Sequence, residues 1–354
     1  MVLVLSSGRK KFGRCGLSNK FSTRTAQNKE EVSFQRVSLK MGLLQLTANE
    51  NGNAILVSQS SWLMKHPSAL DTFEQMMNIA RGRKIVVFLD YDGTLSNIVP
   101  NPDEAFMTNK MRIAVREVAK CFPTAVISGR SRNKVHGFVR LDNVYYAGSH
   151  GLDIAAPLPS SKYADQKHQN RIADEMGNEF ALFQPAQRYL PAIRKMLIAL
   201  NEKTKSIKGV VIEDNKFCIS VHYRNVLDEH FCTLEKLVKS VLQDNRDFRI
   251  SKGKKVFEIR PDIEWDKGHA LEYLLETLGF SSSDDVLPIY IGDDRTDEDA
   301  FKVIRNRGEG FPIVVSSTPK DTMALYSLRN PTEVNKFLSR LVTWRKKTSF
   351  CKLV

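Results

Sequence analysis

The chain has 354 residues, of which 42% are hydrophobic, 26% charged and 9% aromatic. This composition excludes an intrinsically disordered chain, a collagen-like repeat and a small disulfide-stabilised scaffold. No apolar segment reaches the roughly 18 residues that a membrane-spanning helix needs, so we expect a soluble protein with no membrane partner. The five cysteines are scattered and form no C-x-x-C pair, which predicts reduced thiols in an intracellular protein and argues against a zinc site.

The net charge of +13 is concentrated at the N-terminus. Residues 1–29 contain seven Lys or Arg and no acidic residue, so only +6 remains for the other 325 residues. This mild excess gives no support to a nucleic-acid-binding fold. Residues 1–64 are basic and rich in Ser, Thr, Asn and Gln, which is typical of an organelle transit peptide and equally of a disordered basic tail. The first interpretation predicts a plastid protein and the second a cytoplasmic one.

Strands and helices are predicted to alternate from residue 67 onward. Ser68 is the expected N-cap of a helix that ends at Gly82, and the apolar run 84–89 predicts a strand buried on both faces. Apolar spacing then predicts a helix over 111–122, a strand over 124–127, a short helix and a strand over 144–147. After residue 264 we expect helices over 266–278, 296–305 and 331–344, and strands over 286–291 and 311–315. This alternation predicts an α/β fold with a Rossmann-like parallel sheet covered on both faces.

The pattern changes between residues 153 and 263. Short strands are predicted at 210–213, 217–224 and 256–259, separated by helices centred near residues 195 and 236. We therefore expect an α+β domain over 153–263, inserted into a core whose two parts are residues 65–152 and 264–345. A basic tail is expected over 346–354.

Four polar segments are expected at the sheet edge where open α/β folds bind ligands. The first is Asp90-Tyr-Asp-Gly-Thr94, in which Asp90 and Asp92 point the same way. Two carboxylates held close together repel each other, and a cation near them compensates this repulsion. Because Mg²⁺ prefers oxygen ligands, this pair predicts a Mg²⁺ site. The second is Ser128-Gly-Arg130, where a hydroxyl and a helix N-terminus can bind phosphate.

The third segment, WDKG, opens a helix with Lys267, whose charge can neutralise a phosphoryl group. The fourth, GDDRTDED, holds five acidic residues in seven positions. Helix capping explains some of these acids, whereas Asp293 and Asp294 are expected to complete a metal site with Asp90. Taken alone, the second segment is more typical of an ordinary turn, and the third of a solvated helix start.

In this order, an acidic pair, a Ser, a Lys and a second acidic pair resemble the four motifs of the haloacid-dehalogenase-like phosphohydrolases. The longer strings FLDYDGTLS, ISGR, YYAGSHG, VHYR, WDKG and GDDRTDEDAF are similar to those of the trehalose-6-phosphate phosphatase family, and closest to its plant members. The resemblance runs from residue 62 to 344. The sequence departs from the family pattern at Asn97, where Pro is usual. Because Asn97 lies beyond the acidic pair, this difference is expected to affect the stiffness of the loop and not catalysis.

The resemblance implies a Mg²⁺-dependent phosphatase that converts trehalose 6-phosphate to trehalose and phosphate, the final step of trehalose biosynthesis. Asp90 would be the nucleophile that forms an aspartyl phosphate, and Asp92 the general acid and then base. The implied metal ligands are Asp90, the Asp92 carbonyl, Asp293 and, nearby, Asp294. The implied ligands of the phosphoryl group and its loop are Ser128, Lys267 and Thr94.

The inserted domain corresponds in this family to a mobile cap that closes over the active site and contacts the leaving sugar. The residues that match the family pattern for substrate binding are Arg130, His150, Glu213, Lys216, His222, Arg224 and Glu258. For each residue of the cap, a solvated strand position is an equal alternative. The family match identifies a small sugar phosphate as the substrate and no protein partner.

Two other functions are compatible with the same segments. One is a phosphatase for another sugar phosphate, such as sucrose phosphate. The other is a catalytically weak member that binds a sugar phosphate as a sensor. The intact Asp92 argues against the sensor, because a protein that only binds its ligand has no need of a general acid there.

Overall fold

The computed structural model describes residues 59–157, 169–173, 179–280 and 285–350. The strands are β1 Lys84–Leu89, β2 Thr124–Ile127, β3 Tyr145–Gly148, β4 Asp153–Pro157, β5 Gln169–Ala173, β6 Glu179–Phe183, β7 Val211–Asp214, β8 Ile219–His222, β9 Phe248–Gly253, β10 Val256–Pro261, β11 Val286–Gly292, β12 Phe311–Val315 and β13 Tyr326–Leu328. The helices are α1 over residues 59–65, α2 Phe73–Ile79, α3 Asn109–Cys121, α4 Arg132–Val139, α5 Leu190–Thr204, α6 Asp228–Leu242, α7 Lys267–Thr277, α8 Asp297–Arg307 and α9 Pro331–Phe350.

The larger sheet has nine strands in the order β13-β12-β11-β1-β2-β3-β4-β6-β5. The strands from β13 to β3 run parallel to one another, and β4, β6 and β5 continue the sheet in antiparallel pairing. Strand β1 lies between β11 and β2, so its end meets the ends of both. The predicted α/β fold around a parallel sheet is confirmed.

Strand β1 is buried on both faces of this sheet. Val87 and Leu89 pack into the cluster formed with helices α2, α3, α4 and α9. Val86 and Phe88 pack on the other face, against α7 and α8. Because both faces are covered by apolar side chains, polar residues are excluded until the strand ends. The first carboxylate therefore comes directly after Leu89, at the edge of the sheet.

A smaller antiparallel sheet, in the order β7-β8-β10-β9, packs against α5 and α6. We call residues 190–261 the small unit, and the other described residues the large unit. The expected start of the inserted domain at residue 153 is corrected here, because β4, β6 and β5 extend the larger sheet instead. The in/out pattern of a strand does not specify which sheet it joins. Strands β4, β5, β6, β9 and β13 were not predicted by the sequence analysis.

Two helix boundaries differ from the expected ones. Ser68 does not cap a helix: its hydroxyl accepts weak bonds from the amides of Leu70 and Asp71 at 3.3 and 3.4 Å. Helix α2 begins five residues later, at Phe73. Helix α9 continues into the expected basic tail as far as Phe350. Within the described residues, no helix combines the length and the apolar composition needed to cross a membrane.

The large unit begins earlier than residue 65. Trp62 donates its indole N–H to the Lys320 carbonyl at 2.7 Å, and His66 Nδ1 lies 2.8 Å from the Ala324 carbonyl. The Trp62 ring packs beside the cluster under α7 and α8. Helix α1 is therefore attached to the loop between β12 and β13. The rest of the predicted basic extension, over residues 1–58, lies outside the described residues, and the plastid or cytoplasmic location stays a prediction.

We expect Trp62→Ala to lower the free energy of unfolding by about 2 to 4 kcal/mol, because it removes a half-buried ring and leaves the Lys320 carbonyl without its donor. Met64, in the same helix, is 78% exposed. Met64→Ala is therefore the matched control and should change stability by less than about 0.5 kcal/mol. Urea unfolding of the three proteins measures this difference, and equal midpoints for both variants would show that α1 does not stabilise the large unit.

Candidate active site

The turn after β1 brings a carboxylate from a second strand against the first. Gly93 has φ +80°, a conformation that L side chains rarely adopt. A Cβ atom at this position would lie 2.1 Å from Oδ2 of Asp293, which follows β11. The turn therefore requires glycine both for its backbone angle and for the close approach of Asp293.

Lys267 is the buried cation at the centre of the site. It is the first residue of α7, whose N-cap Asp266 accepts hydrogen bonds from two amides of the first turn. The Lys267 side chain is 1% exposed, and its ammonium donates to Oδ1 of Asp90 at 2.7 Å and to Oδ1 of Asp297 at 2.8 Å. One cation thus holds carboxylates from β1 and from the start of α8.

Asp297 is fixed by four hydrogen bonds. Its Oδ1 accepts from Lys267 and from the Tyr290 hydroxyl at 2.8 Å each. Its Oδ2 accepts from the amides of Asp293 and Asp294 at 2.9 Å each. Because each carboxylate oxygen accepts two hydrogen bonds, Asp297 fixes the positions of Lys267 and of the Asp293 and Asp294 backbone. The sequence analysis did not assign this role, although the string of five acids contained the residue.

Burial and charge act in opposite directions on these groups. Burial raises the pKa of Asp90 well above its usual value, and the negative charges of Asp297, Asp293 and Asp294 add to this against the opposing effect of Lys267. For Lys267, burial lowers the pKa, but Asp297 and Asp90 outweigh it and raise the pKa well above the usual value. The ammonium is therefore retained while the carboxylates compete for it.

The pKa values of the two acidic residues after β11 are shifted in opposite directions. Burial, together with Asp294 and Asp297, raises the pKa of Asp293 to about 7 against the effect of Lys254. Burial by itself raises the pKa of Asp294, but the Lys267 charge and hydrogen bonds from Thr296 and Asp297 outweigh burial and lower this pKa.

Three buried carboxylates have oxygens within 4.8 Å of one another: Asp90, Asp293 and Asp297. Since Asp297 is saturated by protein donors, Asp90 and Asp293 are the carboxylates suited to hold a cation. Asp294 was predicted at this position, but its Oδ1 accepts from Thr296 and from the Asp297 amide.

Arg130, which follows β2, holds the second carboxylate of the first segment. Its Nε and Nη2 donate to the two oxygens of Asp92 at 2.7 and 2.9 Å. Its Nη1 donates to Glu213 of the small unit at 3.1 Å. Ser128 is buried and its hydroxyl accepts from the Arg130 amide at 3.2 Å. Among the described residues, the buried hydroxyl of Thr94 has no hydrogen-bond partner.

The small unit presents further charged groups to the same cleft. Glu258 Oε1 lies 3.0 Å from His150 Nε2, and His222 Nε2 lies 2.8 Å from Glu213 Oε2. Burial opposes ionisation of Glu213, but the hydrogen bond from His222 and the charges of Arg130 and Lys134 lower its pKa to about 2. Glu213 is therefore a fully ionised carboxylate between the two units.

The cleft has a volume of about 130 Å³, which is smaller than a typical small-molecule site. The predicted residues that line it are Asp90, Asp92, Arg130, His150, Glu213, His222, Arg224, Glu258, Lys267, Asp293 and Asp294. Lys216, Ser128 and Thr94 are not among its lining residues, and the Lys216 ammonium pairs with Asp153 at 3.2 Å.

Lys254, in the turn between β9 and β10, lines the cleft and hydrogen-bonds Asp293. The sequence analysis missed it because one Lys among several in the KGKK string carries no distinguishing pattern.

We expect Lys267→Met to lower the free energy of unfolding by about 3 to 5 kcal/mol near neutral pH, because it leaves Asp90 and Asp297 buried without their cation. The deficit should shrink as the pH falls from neutral toward the usual pKa range of a carboxyl group, about 4. A carboxyl whose pKa is higher in the folded than in the unfolded state takes up its proton first in the folded state, so acid restores stability. Lys302→Met, at an exposed position of α8, is the control. A deficit that does not change with pH in chemical denaturation would contradict this account.

Two comparisons with known proteins give the same family, and a third gives the same fold. A family model described as trehalose-phosphatase matches residues 88–332. Trehalose-phosphate phosphatase B of Arabidopsis thaliana is 53% identical over 82% of this chain and 75% of its own length. A probable trehalose-phosphate phosphatase 4 of Oryza sativa subsp. japonica is 53% identical over 83% and 76%.

Solved structures agree in fold. The C-terminal domain of C. albicans trehalose-6-phosphate phosphatase has a TM-score of 0.61 and 21% identity, covering 76% of this chain and 96% of that one. A trehalose-6-phosphate phosphatase related protein has a TM-score of 0.60 and 20% identity, covering 74% and 99%. Since the family model covers more than half of the chain, and relatives at 53% identity cover most of it, the protein belongs to the trehalose-phosphatase family.

Proposed function

We propose that the protein is a Mg²⁺-dependent phosphatase that hydrolyses trehalose 6-phosphate to trehalose and phosphate through an aspartyl phosphate. The observation that carries this proposal is the buried Asp90 held by Lys267 at the bottom of a charged cleft. A carboxylate in this position can attack phosphorus, while an ammonium beside it neutralises charge on the phosphoryl oxygens. Family membership supports the choice of substrate.

The donor set fits Mg²⁺. Asp90 and Asp293 offer hard oxygen ligands, burial and neighbouring carboxylates raise the pKa of both, and the turn at Gly93 brings the Asp293 carboxylate close. With the Asp92 carbonyl, these two residues would hold the ion, and Asp294 would lie beside them. Bound there, Mg²⁺ would reduce the repulsion between the Asp90 carboxylate and the anionic phosphate.

The protein groups would act in two steps. In the first, an oxygen of Asp90 attacks phosphorus as the bond from phosphorus to the sugar oxygen breaks, and Asp92 gives its proton to that leaving oxygen. In the second, Asp92 takes a proton from water as the water oxygen attacks phosphorus and the bond to Asp90 breaks. Lys267 and Ser128 would hold the transferring group, and the unpartnered Thr94 hydroxyl would contact it or its loop.

The sugar would occupy the part of the cleft beside the small unit's charged residues. Of the predicted substrate-binding residues, His150, Glu213, His222, Arg224 and Glu258 line the cleft and offer donors and acceptors to hydroxyl groups. Lys216 is left out of this set, since it lies outside the cleft lining.

Phosphate release from trehalose 6-phosphate, sucrose 6-phosphate and glucose 6-phosphate, with and without Mg²⁺, tests this proposal. We expect release from trehalose 6-phosphate that requires Mg²⁺ and is absent in Asp90→Asn, because the amide keeps the shape but is a poor nucleophile. Faster phosphate release from another sugar phosphate would show that trehalose 6-phosphate is not the preferred substrate. Tight binding without release would favour a sensor.

Gly93→Ala tests the metal site. Its Cβ would displace Asp293, so we expect Mg²⁺ affinity to fall at least about tenfold, measured by titration calorimetry, and phosphate release to fall with it. Gly82 has nearly the same angle, φ +78°, but nothing within 4 Å of its Cβ position. Gly82→Ala therefore carries a comparable backbone strain of about 1 to 2 kcal/mol and should keep both properties. Equal Mg²⁺ affinity in the two variants would contradict the assignment of Asp293.

A further inference from the structure

The peptide group between Asp293 and Asp294 is held from both sides. Its N–H, the amide of Asp294, donates to Oδ2 of Asp297 at 2.9 Å. Its carbonyl, that of Asp293, accepts a hydrogen bond from the ammonium of Lys320 at 2.9 Å. The Lys254 ammonium lies 3.5 Å from the same carbonyl, which is longer than a normal hydrogen bond. Lys320 and Asp297, from two different parts of the large unit, therefore fix the plane of this peptide group.

The orientation of this peptide group sets the direction of the Asp293 side chain. Because a peptide unit is planar, holding it restricts the rotation that follows the Cα atom of Asp293. The amide of Asp293 donates to Asp297 at 2.9 Å, and this bond restricts the rotation that precedes the same Cα atom. The carboxylate between these two held groups is 5% exposed and lies against the turn at Gly93. A rotation of either peptide group would move the carboxylate out of this position.

Lys320 lies in the loop over residues 316–325, between β12 and β13. Its ammonium is 3.9 Å from Oε1 of Glu298 on α8, and Oε2 of Glu298 accepts from the Met323 amide at 2.7 Å. The loop is therefore tied to α8 as well as to Asp293. The charge of Glu298 also compensates that of Lys320, which would otherwise oppose a cation at Asp293. Lys320 is not among the residues that line the cleft.

Helix α1 holds the same loop from its other side. The Trp62 indole donates to the carbonyl of Lys320 at 2.7 Å, and His66 Nδ1 lies 2.8 Å from the carbonyl of Ala324. The hydroxyl of Ser327, at the end of the loop, donates to the His66 carbonyl at 2.8 Å. Lys320 thus accepts a bond from α1 with its backbone and donates one to Asp293 with its side chain. Helix α1 itself precedes residues 88–332, which the family model matches.

We propose that Lys320 is a positioning residue for Asp293, and that helix α1 supports the metal site by holding Lys320 in place. This inference rests on the proposed function, in which Asp293 binds Mg²⁺. The route consists of two hydrogen bonds, from Trp62 to the Lys320 backbone and from the Lys320 ammonium to Asp293. Groups that orient a metal ligand commonly change metal affinity about tenfold or more when they are removed.

The test uses full-length variants and two matched controls. The variants are Lys320→Met, Lys320→Arg, Trp62→Phe and the double variant Trp62→Phe/Lys320→Met. The controls are Lys302→Met, at an exposed position of α8, and Met64→Ala, at an exposed position of α1. Titration calorimetry without substrate measures Mg²⁺ affinity. Hydrogen exchange of the metal-free protein, followed in peptides that cover residues 292–297, measures how firmly the loop after β11 is held.

We expect Lys320→Met to lower Mg²⁺ affinity about tenfold and to speed exchange over residues 292–297 about tenfold, with exchange in β1 and β2 unchanged. Trp62→Phe keeps an aromatic ring without the N–H donor, so it should lower Mg²⁺ affinity by at most about fivefold, the equivalent of one neutral hydrogen bond. The double variant should bind no more weakly than Lys320→Met, because α1 acts through Lys320. Lys320→Arg, which keeps a cationic donor, and both controls should resemble the wild type.

Other outcomes would overturn the proposal. Mg²⁺ binding by Lys320→Met that equals or exceeds that of Lys302→Met would show that the bond to Asp293 does not support the metal site. Faster exchange that spreads to β1 and β2, or a loss in Lys320→Arg as large as in Lys320→Met, would make Lys320 a general stabiliser of the fold. Additive losses in the double variant would refute the route from α1.

Failure of the proposed function gives a different result. A wild type that binds no Mg²⁺ would refute the metal site itself. The exchange experiment needs no metal, so it still decides whether Lys320 and α1 hold the peptide group that follows Asp293.

Discussion

The site depends on one buried ammonium. Lys267 lies between Asp90 and Asp297, and without it two carboxylates would be buried side by side with no counter-charge. Such a pair is unstable in a low-dielectric interior unless a cation compensates it. The parallel sheet creates this problem, because it ends β1 and β11 at the same edge. The first residue of α7, Lys267, compensates this charge because its ammonium lies beside the carboxylates that follow both strands.

The need to compensate buried carboxylates also explains the turns around the site. Asp297 accepts two hydrogen bonds at each oxygen, from side chains at one and from the backbone of the acidic pair at the other. This arrangement fixes the loop after β11 relative to Lys267. The absence of a side chain at Gly93 then allows Asp293 to approach the turn after β1. Asp297 is thus held by backbone amides, whereas lysine side chains hold Asp90 and Asp293.

The small unit extends this charge pairing across the cleft. Its residues Glu213, Glu258 and Lys254 each meet an oppositely charged or ionisable partner of the large unit. A cleft closed by ion pairs can open to water at modest cost, since separated charges regain hydration, whereas a large apolar interface could not. The arrangement suits an enzyme that must admit a hydrophilic sugar phosphate and then exclude bulk water from the reacting phosphorus.

The sequence by itself determined the α/β fold and the residues at the strand ends. Strand β1 was predicted with its observed limits, because a strand buried on both faces must be apolar throughout and must end where polar residues begin. The positions of Asp90, Ser128, Lys267 and Asp293 followed from the same rule and from the family motifs.

Only the tertiary structure decided which of these groups meet. The bond from Lys267 to Asp90 joins residues 177 positions apart, and the bond from Arg130 to Glu213 joins residues 83 apart. Local periodicity carries no information on such pairs, since it reports which face of an element is buried and not what covers it. For this reason Asp297 and Lys254 were missed, Lys216 was placed in the cleft, and strands β4, β5 and β6, which extend the larger sheet, were not predicted.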